Sequence, residues 1–344
     1  MMMLQLFIPF ALALNIQAAA DTLTVAMTGD IMMGTTYPTN RLPANDGRDL
    51  FKDTAPILQD ATLAVGNLEG ALCNGGTSTK GTGPYAFAFR TPTSYTHLLR
   101  EAGYDFLSMA NNHSNDFGDF GIVSTEGALD AEGLAYAGLT GRKEWTVVER
   151  GGVRWGLYAF GHNQKTLKHA DLGKVKAILD TLKKHSDLIV VSFHGGAEGS
   201  DKGHLPRGKE TYIGEARGDL RNFAHFCIDN GAALVFGHGP HVTRCVEVYK
   251  GHFIAYSLGN FCTPYGMALA GTLGYAPVIT ARVLSTTGEF IDGQIHPFIQ
   301  RSGIGPRRDE AGIVCRHIKS LSDADVPESE ASVREDGFIQ LKEK

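Results

Sequence analysis

A chain of 344 residues, 43% hydrophobic and 20% charged, has the balance of an ordinary globular protein with length enough for a large core. Its formal net charge of -5 argues against a nucleic-acid or anionic-membrane partner, so no nucleic acid is expected. Five cysteines, at spacings unlike a zinc knuckle, are too few to staple a disulfide scaffold of this size.

The chain opens with an apolar run over residues 4–14, broken only by Gln5 and followed by Ala18-Ala19-Ala20. The run is short for a bilayer span, and the small residues form an A-x-A-like cleavage site before Asp21. Residues 1–20 therefore read as a secretory signal peptide cut after Ala20. The expected product is exported, periplasmic or extracellular. The segment before the apolar run lacks Lys and Arg, so an uncleaved membrane anchor is the alternative. No later segment reads as a membrane span.

Residues 22–27 are apolar and β-branched, a first strand, and run into Gly29-Asp30. A helix is expected over residues 47–58. The next strand, 61–65, ends in Gly66-Asn67-Leu68-Glu69. Residues 73–83 are rich in Gly, Thr and Ser, a surface loop placed to rim a pocket. A helix over 93–102, closed by Gly103, leads to a strand over 104–110. That strand ends in Asn111-Asn112-His113, with Asp116 near enough in sequence to orient the imidazole. A helix over 121–133 and short strands within 134–160 follow, then an amphipathic helix over 172–184.

Residues 187–193 are the clearest buried strand and end at His194-Gly195-Gly196-Ala197-Glu198. A long helix is expected within 208–230. It delivers the chain to a strand over 232–236 and then to Gly237-His238-Gly239-Pro240-His241, two imidazoles in a turn stiffened by Gly and Pro. Cys245 and Cys262 flank a hairpin, 246–249 and 252–257, turned at Lys250-Gly251. A bridge between them is possible in an oxidising compartment, but burial as small hydrophobes is the favoured reading. Ser257-Leu258-Gly259-Asn260-Phe261 and strands over 276–284 and 289–299 complete the sheets.

Asp30, Asn67, Glu69, Asn112, His113, His194, His238 and His241 thus all follow strands. Strands alternating with helices imply largely parallel sheets whose C-terminal ends share one edge, so these groups are expected to converge. Carboxylates, imidazoles and an amide oxygen are the donor set for a divalent metal such as Mn, Zn or Fe. So many donors suit two ions better than one.

The order Gly-Asp, Asn-Leu-Glu, Ala-Asn-Asn-His, His-Gly-Gly-x-Glu, Gly-His-x-Pro-His-Val and Tyr-Ser-Leu-Gly-Asn-Phe resembles the CapA family, the poly-γ-glutamate capsule synthesis proteins. These look like relatives of the calcineurin-like metallophosphoesterases, and the resemblance covers roughly residues 22–320. It implies an α/β fold, a four-layer αββα sandwich, over residues 21–300. Residues 301–344 would form a C-terminal helix and polar tail. It also implies one or two divalent ions, with Asp30 and His241 on one, Asn112, His194 and His238 on the other, and Glu69 between them. His113 would be the proton donor, oriented by Asp116. Asn67, Asn111, Glu198 and Asn260 would stand behind these ligands or against substrate.

The chain departs from the pattern in three places. The phosphoesterase Asp-x-His reads Asp30-Ile31-Met32, one imidazole short. The bridging aspartate is replaced within Asn67-Leu68-Glu69. The family's His-Trp-Gly reads His194-Gly195-Gly196, without the aromatic wall.

The chemistry implied is metal-dependent hydrolysis of a phosphoester or amide-type bond, and epimerisation is a further option such a site allows. The expected partners are polymer or a small phosphoester or peptide substrate, with polymer synthesis or export machinery at the membrane. The alternatives are a periplasmic metallophosphoesterase unconnected with polymer, and a non-enzymatic factor that binds and guides polymer.

Overall fold

The computed structural model describes residues 21–81, 83 and 86–343. The signal-peptide reading falls on residues 1–20, outside the described residues. Among the described residues, no helix is long and apolar enough to cross a membrane.

Two large sheets form the middle of the molecule. The first has nine strands, with Thr22–Ile31 near its centre. Leu63–Leu68, Phe106–Ser108 and Ala135–Ala137 follow it in parallel on one side. Val278–Leu284 and Phe290–His296 run antiparallel on the other. The second sheet has six strands. Val153–Phe160, Leu188–His194, Leu234–His238 and His252–Ala255 lie parallel in that spatial order. Trp145–Arg150 and Val246–Tyr249 close its edges antiparallel.

Strand periodicity explains the layers, because alternate side chains leave opposite faces of a sheet. From the first sheet, Val25, Met27, Leu63 and Val65 face the second, and Trp155, Leu157, Val190, Leu234 and Phe236 meet them. The intervening residues Ala26, Ala64 and Leu107 face outward, under residues of Ala55–Asp60, Thr96–Ala102 and Gly118–Ala131. On the far side Tyr158, Ile189, Val191 and Val235 pack with Val175, Leu179 and Phe223 of Leu172–His185 and Leu220–Asp229. This is the four-layer αββα sandwich. With both faces covered, the central strands read as continuous apolar runs, and each fully buried Leu, Val or Phe contributes roughly 1.5–3 kcal/mol. Residues 301–343 add the helix Ile313–Asp325, whose Val314 and Ile318 join the inter-sheet core, and the edge strands Ala331–Val333 and Phe338–Leu341.

Two expected helices are corrected. Residues 47–58 are not one helix: a single 3-10 turn spans Ala44–Gly47, and the α-helix starts only at Ala55. Pro56 has no N–H to donate and fits only the first turn of a helix. The long helix within 208–230 is confined to Leu220–Asp229, capped by the Asp219 carboxylate accepting from Asn222 N at 3.1 Å. Ahead of it lies a hairpin, Glu210–Tyr212 and Glu215–Gly218, turned at Ile213-Gly214. The cysteines are all buried and free, so Cys245 and Cys262 do not bridge.

Candidate functional site

The parallel strands of both sheets end on one edge, and their registers set the donors side by side. His238 pairs with His194 in the second sheet. In the first sheet Asp30 pairs with Asn67 on one side and Asn260 on the other. Two glycines permit this closeness. A Cβ on Gly29 would lie 1.9 Å from the Gly259 carbonyl oxygen, which accepts from Asp30 N at 2.9 Å. Gly239 has φ 117°, and a Cβ there would lie 2.3 Å from the Gly195 oxygen.

Asp30 is fully buried. Its Oδ1 stands 3.4 Å from His238 Nδ1, and its Oδ2 accepts from His241 Nδ1 at 3.1 Å. Burial works to raise this carboxyl, but the two imidazoles set against it, His238 and His241, outweigh burial and hold it far below the carboxylate range. His241 also reaches Asn260 Oδ1 at 3.0 Å. Burial works to lower its imidazole, but the Asp30 bond and the surrounding carboxylates raise it to about 9. Asn67 Nδ2 donates to Asp30 Oδ1 and to Glu69 Oε2, joining the two carboxylates. Glu69 stands 3.5 Å from His194 Nδ1 and 4.0 Å from His113 Nε2. Burial, then the Asp30 charge, push its carboxyl well above the usual range. Burial, then His162, push His194 well down.

His113 Nδ1 donates to Asp116 Oδ2 at 2.9 Å, and the Phe89 ring lies 4.5 Å away, tilted across the imidazole. Asp116 Oδ2 also accepts from Phe89 N at 2.7 Å. Asn111 is a strut: its amide donates to Asn67 Oδ1 and Leu68 O, and its oxygen accepts from His113 N. Asn112 lines the cavity over these groups. Glu198 is taken up by Arg217 at 2.7 Å, with its other oxygen 3.9 Å from His241 Nε2. All twelve residues singled out in the sequence therefore stand in or around one cleft.

The structure adds His162, His169, Lys80 and Arg217. His162 directly follows the strand Val153–Phe160 and Gly161, the same strand-then-polar signature that marks the other donors. Its ring lies 5.6 Å from that of His194. Burial, then Arg217, lower it to about 4, and burial, then His162, do the same to His169. Lys80 stands 3.5 Å from Asp116 and donates to Asn112 O.

Among the described residues, no three His, Cys, Asp or Glu side chains are closed into a ready coordination shell. The donors stand instead in carboxylate–imidazole pairs with unsatisfied atoms. Both ring nitrogens of His194 and of His238, Glu69 Oε1 and Asn112 Oδ1 are buried without a hydrogen-bond partner. Each such atom costs about 1–3 kcal/mol if left unsatisfied. Imidazole nitrogen, carboxylate oxygen and amide oxygen are all donors a divalent transition metal accepts, so the residues present fit such an ion.

Residues 24–265 match the family model described as bacterial capsule synthesis protein PGA_cap. The PGA biosynthesis protein CapA of Bacillus subtilis is 28% identical over 271 residues, covering 72% of this chain and 64% of that protein. The capsule biosynthesis protein CapA of Bacillus anthracis is 26% identical over 265 residues, covering 72% of this chain and 61% of that one. The chain thus matches less than two thirds of the length of these relatives. Among solved structures, a phosphatase from Mycoplasma pneumoniae superposes with a TM-score of 0.53 at 15% identity, over 88% of this chain and 98% of that one, a likeness of fold.

Proposed function

Because the chain belongs to the bacterial capsule synthesis protein family, we propose that it is an exported factor of poly-γ-glutamate or related capsule production. Its strand-end cleft holds one or two divalent ions and carries out hydrolytic chemistry on a phosphoester or amide-type bond. The relatives named for PGA and capsule biosynthesis support the setting.

The observation that carries the chemistry is the set of unpartnered buried atoms on His194, His238, Glu69 and Asn112. Because His238 Nδ1 stands 3.4 Å from Asp30 Oδ1, His238 would join Asp30 and His241 on one ion rather than the ion expected with His194 and Asn112, and Glu69, His194 and Asn112 would hold the second. The donor set suits Mn, Zn or Fe. When bound, such an ion supplies Lewis-acid polarisation and activation of water near neutral pH. The chain's own contribution is a placed proton. His113 gives Nδ1–H to Asp116 and turns Nε2 toward Glu69, so Nε2 is the atom that would protonate a leaving oxygen, worth roughly 10²–10⁴-fold. The cavity above these groups, about 450 Å³, admits a small ligand or a short stretch of polymer.

Elemental analysis of the full chain purified without chelator tests this. Wild type is expected to carry Mn, Zn or Fe, and His238→Ala and His194→Ala to carry much less. Equally low metal in wild type and variants refutes the site. Export is checked by amino-terminal sequencing of the protein from its native cell, which should begin at Asp21. A chain that retains Met1 in the membrane fraction supports the anchor instead.

A further inference from the structure

Ile213 and Gly214 are the two-residue tip of the hairpin Glu210–Tyr212/Glu215–Gly218. Both have positive φ, 46° and 75°. That is the pattern of a type I′ turn, whose first position favours Asn, Asp or Gly. A β-branched residue there is a steric outlier, and such strain persists only where the surrounding structure imposes it.

The base of this hairpin is imposed. Glu210 accepts from both terminal nitrogens of Arg244 at 2.8 Å and from Ala197 N at 2.9 Å, and the ion pair is buried. Gly196 N donates to Arg217 O at 2.8 Å. The tip gains nothing comparable, because Ile213 is 60% exposed. The strain is therefore not offset by core packing.

Ile213 instead lines the cavity above His113 and His241, together with Met267, Leu273 and Phe87, and Phe87 is itself 53% exposed. Two large apolar side chains on separate loops are left to water at the rim of a cleft whose floor carries the buried imidazoles and carboxylates. We propose that Ile213 and Phe87 are specificity-determining residues that receive an apolar substituent, aryl or branched alkyl, attached next to the anionic group that enters the site. This assignment rests on the metal-dependent phosphoester reading given above. A wholly polar ligand would gain nothing from either side chain, whereas an apolar group covered by both leaves water.

The test is calorimetric titration of the full chain, supplied with Mn²⁺, using phenylphosphonate, which has no ester bond to hydrolyse, and inorganic phosphate as probes. Wild type is expected to prefer phenylphosphonate by about tenfold, the effect of covering part of one ring. Ile213→Asn and Phe87→Ser should each bring the ratio to within about twofold of one. Ile213→Asn should melt at or above the wild-type temperature, because Asn suits the turn. Three results overturn the assignment: a wild-type ratio near one, a preference that survives in both variants, or an Ile213→Asn variant that melts well below wild type. Phosphate binding without a phenyl preference leaves the metal reading standing and removes only the apolar subsite. Binding of neither probe removes both.

Discussion

At His113 the ring divides its two nitrogens between fold and site. Nδ1 donates to Asp116 Oδ2 at 2.9 Å, and Nε2 looks toward the unpartnered Glu69 Oε1 at 4.0 Å. His113→Asn is the informative change, because the Asn amide can keep the donor to Asp116 while Nε2 is lost. Turnover of any phosphoester the wild type hydrolyses is expected to fall about 10²-fold or more. Metal content and melting temperature should stay near wild type. Equal losses of metal, stability and turnover would mark His113 as a ligand or strut. Asp116→Asn is a harsher change than its place behind the His113 ring suggests. Oδ2 takes N–H bonds from both His113 and Phe89, so the Asn oxygen keeps both only by turning its NH2 toward the Lys80 ammonium, which stands 3.5 Å from Oδ1. A stability loss of about 1–3 kcal/mol should accompany its loss of rate.

At the scale of elements, the strand Phe290–His296 carries a proton switch that does not line the cleft. His296 Nε2 lies 3.0 Å from Thr280 Oγ1 on the neighbouring strand. Burial, with the Arg308 charge adding, lowers its imidazole from 6.5 to about 4. The unfolded chain therefore binds this proton before the folded one does. The stability of neutral His296 is complete above about pH 6.5 and is lost as pH falls toward 4. Within that window His296→Gln should flatten the fall of unfolding free energy by up to about 1.4 kcal/mol per pH unit. Denaturant melts of both proteins at pH 7, 5.5 and 4.5 measure it, and parallel curves would remove His296 from the acid response. The same scale shows where local pattern is a sufficient guide. Leu172–His185 is legible because Val175, Ile178, Leu179 and Leu182 recur on one face and are all buried. Glu210–Gly218 is not, because its strands are short and its turn carries Ile213 where a turn residue is expected.

At the scale of the whole molecule, the cleft lies where two separate sheets meet. Asp30, Asn67 and Glu69 come from the first sheet and its strand ends, and His194 and His238 from the second. An ion held by Asp30 and His238 would tie one sheet to the other and bind only the folded chain. Added Mn²⁺ at about a hundred times its dissociation constant should then stabilise the fold by about 2.7 kcal/mol, a rise of roughly 4 °C in melting temperature for a chain of this size. His238→Ala should abolish the rise. A wild-type melt indifferent to Mn²⁺, Zn²⁺ and Fe²⁺ would refute a metal shared between the sheets.

The sequence by itself determined the central parallel strands, the polar residue at the end of each, and the family strings that run through them. Burial on both faces writes a strand as a local apolar run, and a functional side chain at its C-terminal end sits within two or three residues of that run. Asp30, His194 and His238 could be picked out for this reason before any contact was known. Only the tertiary structure decided which of these groups touch. Asp30 lies between His238 and His241, residues more than two hundred positions away in the chain, because sheet stacking and register place them together. The same holds for His162 beside His194, for the ion pair of Glu210 with Arg244, and for Ile213 at the cavity rim. Periodicity records what each segment buries, whereas convergence across two sheets depends on how the layers meet, and no local stretch carries that information.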